Sequence, residues 1–298
     1  MKEKNKAILL IIISALSFAF MSTFVKLSGD IPSIEKSFFR NLVSCVVAFY
    51  IIVKSGDSLF GKRENRKYLL GRALFGTLGI IANFYAIDRL ILADANMLNK
   101  LSPFFVIIFS FIFLKEKITP KQIMILCVAF LGSLFIIKPS FSLEVIPAII
   151  GVSSAVCAGA AYTFVRFLGP REKGPTIVFF FSFFSIVSTL PFLIVDFTPF
   201  TKIQLFYLLM AGVAASVGQF ALTAAYKHAP AKEISIYDYT QIIFSAVIGF
   251  VIFNQLPDKY SFLGYFLILG ASAVMFIYNN RLNIKAAKMQ SDITKNQS

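Results

Sequence analysis

The chain of 298 residues is 57% hydrophobic and 15% charged, with a mean hydropathy of +0.77. Soluble domains carry roughly 25% charged residues, and a water-facing fold could not cover this much apolar surface. The net charge of +14 would suit a nucleic-acid partner, but the basic residues are placed otherwise, as their order along the chain shows.

Apolar runs predict helices at 7–25, 33–53, 68–87, 94–114, 122–138, 145–165, 175–195, 203–226, 234–253 and 260–280. Each is near the roughly 20 residues that cross hydrocarbon. Runs such as 7–25 and 175–195 lack apolar–polar alternation and are about twice the length of a barrel strand. A helix is then the one way to satisfy their backbone groups in lipid. With the amino terminus placed in the cytoplasm, 20 of the 29 Lys and Arg fall in cytoplasmic segments, 5 on the opposite side and 4 within spans. That bias orients membrane proteins, and it makes the lipid bilayer, with its anionic headgroups, the expected neighbour of the basic loops in place of nucleic acid. The expected placement is multi-pass in the cell inner membrane, with both termini and a tail over 283–298 in the cytoplasm.

The first 25 residues imitate a secretory signal, but their apolar run is longer than an h-region and has a counterpart later in the chain. Cys45, Cys127 and Cys157 fall inside spans, where a disulfide framework has no role and packing is the expected one. In a chain without Trp, Tyr50, Tyr68, Tyr260 and Tyr278 take the interface positions. Pro32, Pro120, Pro175 and Pro230 lie near span ends, whereas Pro103 is expected to free a carbonyl and bend the fourth helix.

An internal repeat organises these spans. Thr23-Phe24-Val25-Lys26 closes the first span and Thr163-Phe164-Val165-Arg166 the sixth, an offset of 140. At an offset of 139, Leu114-Lys115-Glu116-Lys117-Ile118 faces Phe253-Asn254-Gln255-Leu256-Pro257, and Ala82 and Ala86 face Ala221 and Ala225. The units are residues 1–140 and 141–282. Because five spans is an odd number, the second unit enters the membrane from the other side. The expected fold is an all-α integral membrane protein of ten transmembrane helices, arranged as two inverted five-helix repeats. Such repeats underlie alternating access, with substrate held near the midplane between them.

Ten spans in two halves, the Leu114-Lys115-Glu116-Lys117-Ile118-Thr119-Pro120 segment, the Phe38-Phe39-Arg40 start of the second span and the Ser102-Pro103 kink resemble the drug/metabolite transporter superfamily, in its EamA branch. The resemblance covers essentially the whole chain. It implies a carrier of amino acids, vitamins, nucleotide-like metabolites such as S-adenosylmethionine, or drugs, and leaves the substrate open. The second copy departs from the pattern, with Gln255 where Glu116 stands and Ile242 where Pro103 stands.

Ionisable residues inside spans cost about 2.5 to 3.5 kcal/mol each on insertion scales, so each asks for a reason. Arg40 lies roughly 10 Å from the outer end of the second span. It is either a fork for an anionic substrate group or a structural partner of Glu35 or of helix-end carbonyls. Asn99 and Lys100 correspond to Asp238 and Tyr239, at similar depths from opposite faces. They would give a cavity with one cationic and one anionic end, suited to a zwitterion. Asp238 is also the expected site of a coupling proton, since burial favours a neutral carboxyl. The other reading has Lys100 and Asp238 snorkelling to opposite surfaces. Asn83, Tyr162, Gln219, Tyr237 and Gln241 are uncharged polar residues within spans, fit either to touch substrate or to join helices.

A catalytic role finds no support. His228 is the single histidine, there is no HExxH helix, and no Cys/His cluster is present. No metal or cofactor is expected. A sensor or scaffold would be expected to carry a soluble output domain. The reading is a secondary-active transporter of a small polar or zwitterionic metabolite, amino-acid-like or S-adenosylmethionine-like by the resemblance. The alternatives are an exporter of drugs or hydrophobic cations and a passive channel.

Overall fold

A computed structural model describes residues 2–115, 118–138, 145–169, 171–228 and 235–296. Glu116, Lys117, Pro230 and the 140/141 boundary between the repeats lie outside the described residues. The helices are α1 (Lys2–Leu27), α2 (Ser33–Ser55), α3 (Arg66–Arg89), α4 (Leu92–Asn99), α5 (Ser102–Leu114), α6 (Pro120–Ile137), α7 (Ile146–Leu168), α8 (Gly174–Val195), α9 (Lys202–His228), α10 (Thr240–Phe253) and α11 (Lys259–Asn296). They supply ten spans long and apolar enough to cross a membrane, α4 and α5 forming the fourth together. No more than 44% of any span's most apolar window is buried inside the protein. Side chains such as Val195 and Phe266, 86% and 74% exposed, therefore need lipid as their solvent.

Helix ends follow local chemistry. Thr119 and Gln122 close a capping box at the start of α6, with Pro120 in its first turn. At the equivalent start of α11, Asp258 Oδ1 accepts from the Ser261 amide at 2.9 Å. The carboxyl of Asp258 is held below the usual carboxylate range by its hydrogen bond with Lys138, 2.8 Å away, and by that amide. The ends of α5 and α10 match as well: Lys115 and Asn254, 139 residues apart, both cap in the left-handed region at φ 56° and 53°.

The fourth span is interrupted, where the sequence predicts a bend. It stops at Asn99 and restarts at Ser102, with Pro103 in the first turn of α5, where its missing N–H costs nothing. The ninth span begins as a 3-10 turn over Ser235–Tyr239 and becomes α-helical at Thr240. That change falls at the matching position although Ile242 replaces Pro103, so the irregularity belongs to the place in the fold and not to the proline.

The packing shows the two inverted repeats directly. A twofold exchange of the halves carries the contact of α1 with α9 onto that of α7 with α3, and the contact of α2 with α9 onto that of α8 with α3. The contacts of α2 with α8 and of α6 with α11 map onto themselves. Without a hydrophobic drive between helices in lipid, small residues let backbones approach. A Cβ at Gly79 would meet Cys157 and Ala158 of α7, and one at Gly218 would meet Phe18 of α1. Those are equivalent contacts at the same offset, and they give Cys157 the packing role expected of it.

On the face opposite the termini, polar contacts tie one half to the other. Gln204 Nε2 donates to Ser28 O at 3.0 Å, the Thr198 amide to Glu35 Oε1 at 2.9 Å, and the Leu92 amide to Gln255 Oε1 at 3.2 Å. At the terminal face, Glu172 Oε1 accepts from the Lys62 amide and Asn65 Nδ2. The α6–α11 crossing is backbone against backbone, a Cβ at Gly264 lying 2.6 Å from Gly132 O and 2.7 Å from Ile136 Cγ1. Gly264→Val is expected to force this crossing apart and to cost about 1–3 kcal/mol. The thermal melting of the detergent-purified variant checks this, and an unchanged melting temperature would contradict the tight crossing.

Candidate functional site

Between the halves lies a cavity with about 1160 Å³ of empty space, its mouth included, walled by α1–α4 and α7–α10 with the 3-10 turn. Toward the face opposite the termini the cavity is closed, with Arg40, Asn83 and Asn96 all buried. Nearer the terminal face its lining includes Tyr162, which is 47% exposed.

Its floor is built on the break in the fourth span and the 3-10 turn that opens the ninth. Because α4 stops at Asn99, Lys100 leaves the helix and reaches Asp238, which leaves the 3-10 turn of the other half, and the two form an ion pair. This corrects the expectation of separate cationic and anionic ends, and also the alternative in which the two side chains snorkel apart. Equivalent positions at mid-membrane have little depth left to separate them, so inversion brings them face to face. Asn99 Nδ2 donates to Ser154 Oγ of α7 at 3.0 Å.

Beside the pair, Asn96 knots three helices. Its Oδ1 accepts from Ser22 Oγ of α1 and Gln241 Nε2 of α10, at 3.0 and 3.1 Å, and its Nδ2 donates to Leu92 O and Ser245 Oγ. Every polar atom of this buried amide has a partner, as low-dielectric surroundings demand.

The opposite wall is cationic and aromatic. Arg40 of α2 is buried, and its Nη1 donates to Asn41 Oδ1 at 2.7 Å. Asn41 Nδ2 in turn donates to Ser185 Oγ of α8, so the structural pairing of Arg40 with Glu35 is not formed. Arg72 of α3 lays its guanidinium carbon 4.2 Å from the Phe181 ring centre, and that of Arg40 stands 5.8 Å from the same ring. Four buried atoms on these cavity-lining residues lack a hydrogen-bond partner: Arg40 Nε, Arg72 Nε, Asn83 Oδ1 and Asp238 Oδ1.

Of the residues singled out in the sequence, Arg40, Asn83, Asn99, Lys100, Tyr162, Gln219, Asp238 and Gln241 line the cavity. Tyr237 and Tyr239 do not. The hydroxyl of Tyr239 is held by Ser272 and the Lys100 carbonyl, which gives it a joining role. Tyr237 lies on the half-exposed side of the 3-10 turn, from which it donates nothing to the cavity floor but its carbonyl caps Thr240 Oγ1. Sequence reasoning missed Arg72, Asn96, Ser44, Ser216 and Phe181. Arg72 carried a signal, being one of four basic residues inside spans. The others look like any polar or aromatic residue of a helix interface. Among the described residues, no group of three or more His, Cys, Asp or Glu is placed to hold a metal ion.

The pattern of the EamA-like transporter family matches residues 5–138 and again 145–277. The chain is 34% identical over 270 residues to the pseudopaline exporter CntI of Pseudomonas aeruginosa, covering 90% of this chain and 94% of that one. It is 24% identical to human solute carrier family 35 member G1, with 83% and 72% covered, and 23% identical to a riboflavin transporter of Brucella anthropi, with 81% and 87% covered. A solved crystal structure superimposes with a TM-score of 0.65 at 15% identity, over 93% of this chain and 99% of that one, a likeness of fold.

Lys100→Met and Asp238→Asn should each lower the melting temperature, because each leaves a part-buried charge without its partner. The double variant should lie nearer wild type than the two losses added, with a coupling of about 1–3 kcal/mol. Strictly additive losses in a thermal-shift cycle would show that the pair is not coupled.

Proposed function

The chain belongs to the EamA-like transporter family, and from that premise we propose a secondary-active carrier. It moves a small polar or zwitterionic metabolite across the cell inner membrane by alternating access, with both termini cytoplasmic. The observation that carries the reading is the Lys100–Asp238 pair, formed between the break in the fourth span and the 3-10 turn that leads into the ninth, at matching places in two inverted halves. Such interruptions at the midplane place substrate and coupling-ion sites in carriers of this architecture. The names of its relatives, an exporter, a solute carrier and a riboflavin transporter, support transport of a metabolite.

In this reading the protein is in the state closed on the face opposite the termini. Reaching the other state requires the Gln204–Ser28, Thr198–Glu35 and Leu92–Gln255 contacts to part while the tight α1–α9 and α3–α7 pairs move as bodies. Asp238 is where a proton and a substrate compete. Protonating it frees Lys100, and a substrate group that binds either partner changes the charge left for the other.

Proteoliposomes test this. Saturable counterflow of a metabolite, accelerated by a proton gradient and made insensitive to that gradient in Asp238→Asn, is the expected result. Flux that grows linearly with concentration would identify a channel instead. Reporter fusions at the two ends of the chain should both report the cytoplasm, and opposite signals would reject the ten-span orientation.

A further inference from the structure

The charges on the cavity wall do not balance. Elsewhere in its spans this chain partners its buried cations. Lys36, with its side chain fully buried, donates to Asp88 Oδ1 at 2.6 Å and to two carbonyls. Lys26 donates to the carbonyls of Ile87 and Leu90, and Lys100 has Asp238. Arg40 and Arg72 are treated differently. Arg40 has one neutral acceptor, Asn41 Oδ1, and Arg72 rests on an aromatic ring, with no hydrogen bond or ion pair to any described residue. The Nε of each is buried without an acceptor. A cation whose Nε is buried without an acceptor, and whose remaining donors face the cavity without a carboxylate of the protein's own, is costly to keep in a span, so the arrangement points to an anion that is bound for part of the cycle.

Geometry makes the two act together. Both guanidinium carbons lie over the Phe181 ring, so their separation cannot exceed the two centroid distances, 5.8 and 4.2 Å, taken end to end. Tyr162 is an electrostatic neighbour of both. The place of Arg72 depends on Gly76: a Cβ there would overlap Arg72 Nη1 and lie 2.9 Å from the Phe181 ring. The two forks come from different helices, α2 and α3, so they suit two separate planar groups of single charge. Guanidinium binds a carboxylate through two parallel hydrogen bonds. A phosphate monoester concentrates its charge on one group and is the competing ligand class.

Resting on the transport reading above, we propose that the transported metabolite carries at least two carboxylates, one held by Arg40 and the other by Arg72 across the Phe181 ring. With Lys100 neutralised by Asp238, such a dianion cancels the charge that remains on the lining. This is a narrower ligand class than a polar or zwitterionic solute, and it disfavours cationic drugs at this site.

The test is a binding panel on the purified protein in lipid nanodiscs, read by calorimetry. Its probes are glutarate, glutarate monoamide, citrate, glycerol phosphate and choline. Glutarate and citrate should bind, and conversion of one carboxylate of glutarate to its amide should weaken binding by about tenfold or more, the worth of a charge-assisted pair. Arg40→Gln and Arg72→Gln should each abolish that difference, leaving the diacid and its monoamide within about threefold, whereas Arg72→Lys should restore part of it. Gly76→Ala, which displaces the Arg72 fork without removing it, should also reduce the difference. Binding of choline or glycerol phosphate in preference to the diacids, binding of no diacid at all, or a full diacid preference in both Gln variants would each overturn the proposal. Counterflow separates it from the transport reading. A diacid that binds but is not moved would sink transport and leave the ligand class standing. A choline-type solute that is moved while diacids are ignored would do the reverse.

Discussion

Lipid offers the backbone no hydrogen-bond partner, and the rest of this structure depends on how the chain meets that constraint. Unbroken helices such as α1, α2 and α9 satisfy it alone and can present apolar side chains to the hydrocarbon. Where the fourth span breaks and the ninth passes from a 3-10 turn into α-helix, the freed polar groups must be closed off inside the protein. The buried polar chemistry therefore collects there, around Asn96, Lys100, Asp238 and Gln241. The cavity lies between the halves, where the break in the fourth span meets the 3-10 turn of the ninth.

The same low dielectric that makes an unpaired group costly makes a paired one strong. Asn96 shows the fully satisfied case, and its bonds to α1 and α10 hold the walls in register. Arg40 and Arg72 show the opposite case, charges brought to the cavity without a carboxylate of the protein's own. At Gly79, Gly218 and Gly264 the helices approach so closely that a Cβ would press on a neighbour.

The spans were legible because hydropathy is a local property, and the one significant difference, the interruption at Lys100, sits beside a proline that marked the place. The repeat was legible at a few positions, and the structure extends it to features no residue identity reveals, such as the left-handed caps at Lys115 and Asn254. The site was legible in part. Charged residues in an apolar run announce themselves, which is how Arg40, Lys100 and Asp238 stood out. Asn96 and Ser44 did not, because a polar residue that joins two helices and one that faces a cavity have the same local sequence. Tyr239 shows the converse, an intraspan polar group whose partners, Ser272 and the Lys100 carbonyl, lie on other helices.

By itself, the sequence determined the solvent of this chain, the number of its membrane spans and the inverted doubling, because each follows from composition and period along one dimension. Tertiary structure alone decided that Lys100 meets Asp238 instead of standing apart from it, that Tyr237 and Tyr239 stay off the cavity, and that Arg40 and Arg72 share one aromatic ring. Those outcomes depend on the rotation and crossing of helices that are far apart in the chain, and a helix's rotation in lipid is set by its neighbours and not by its own residues.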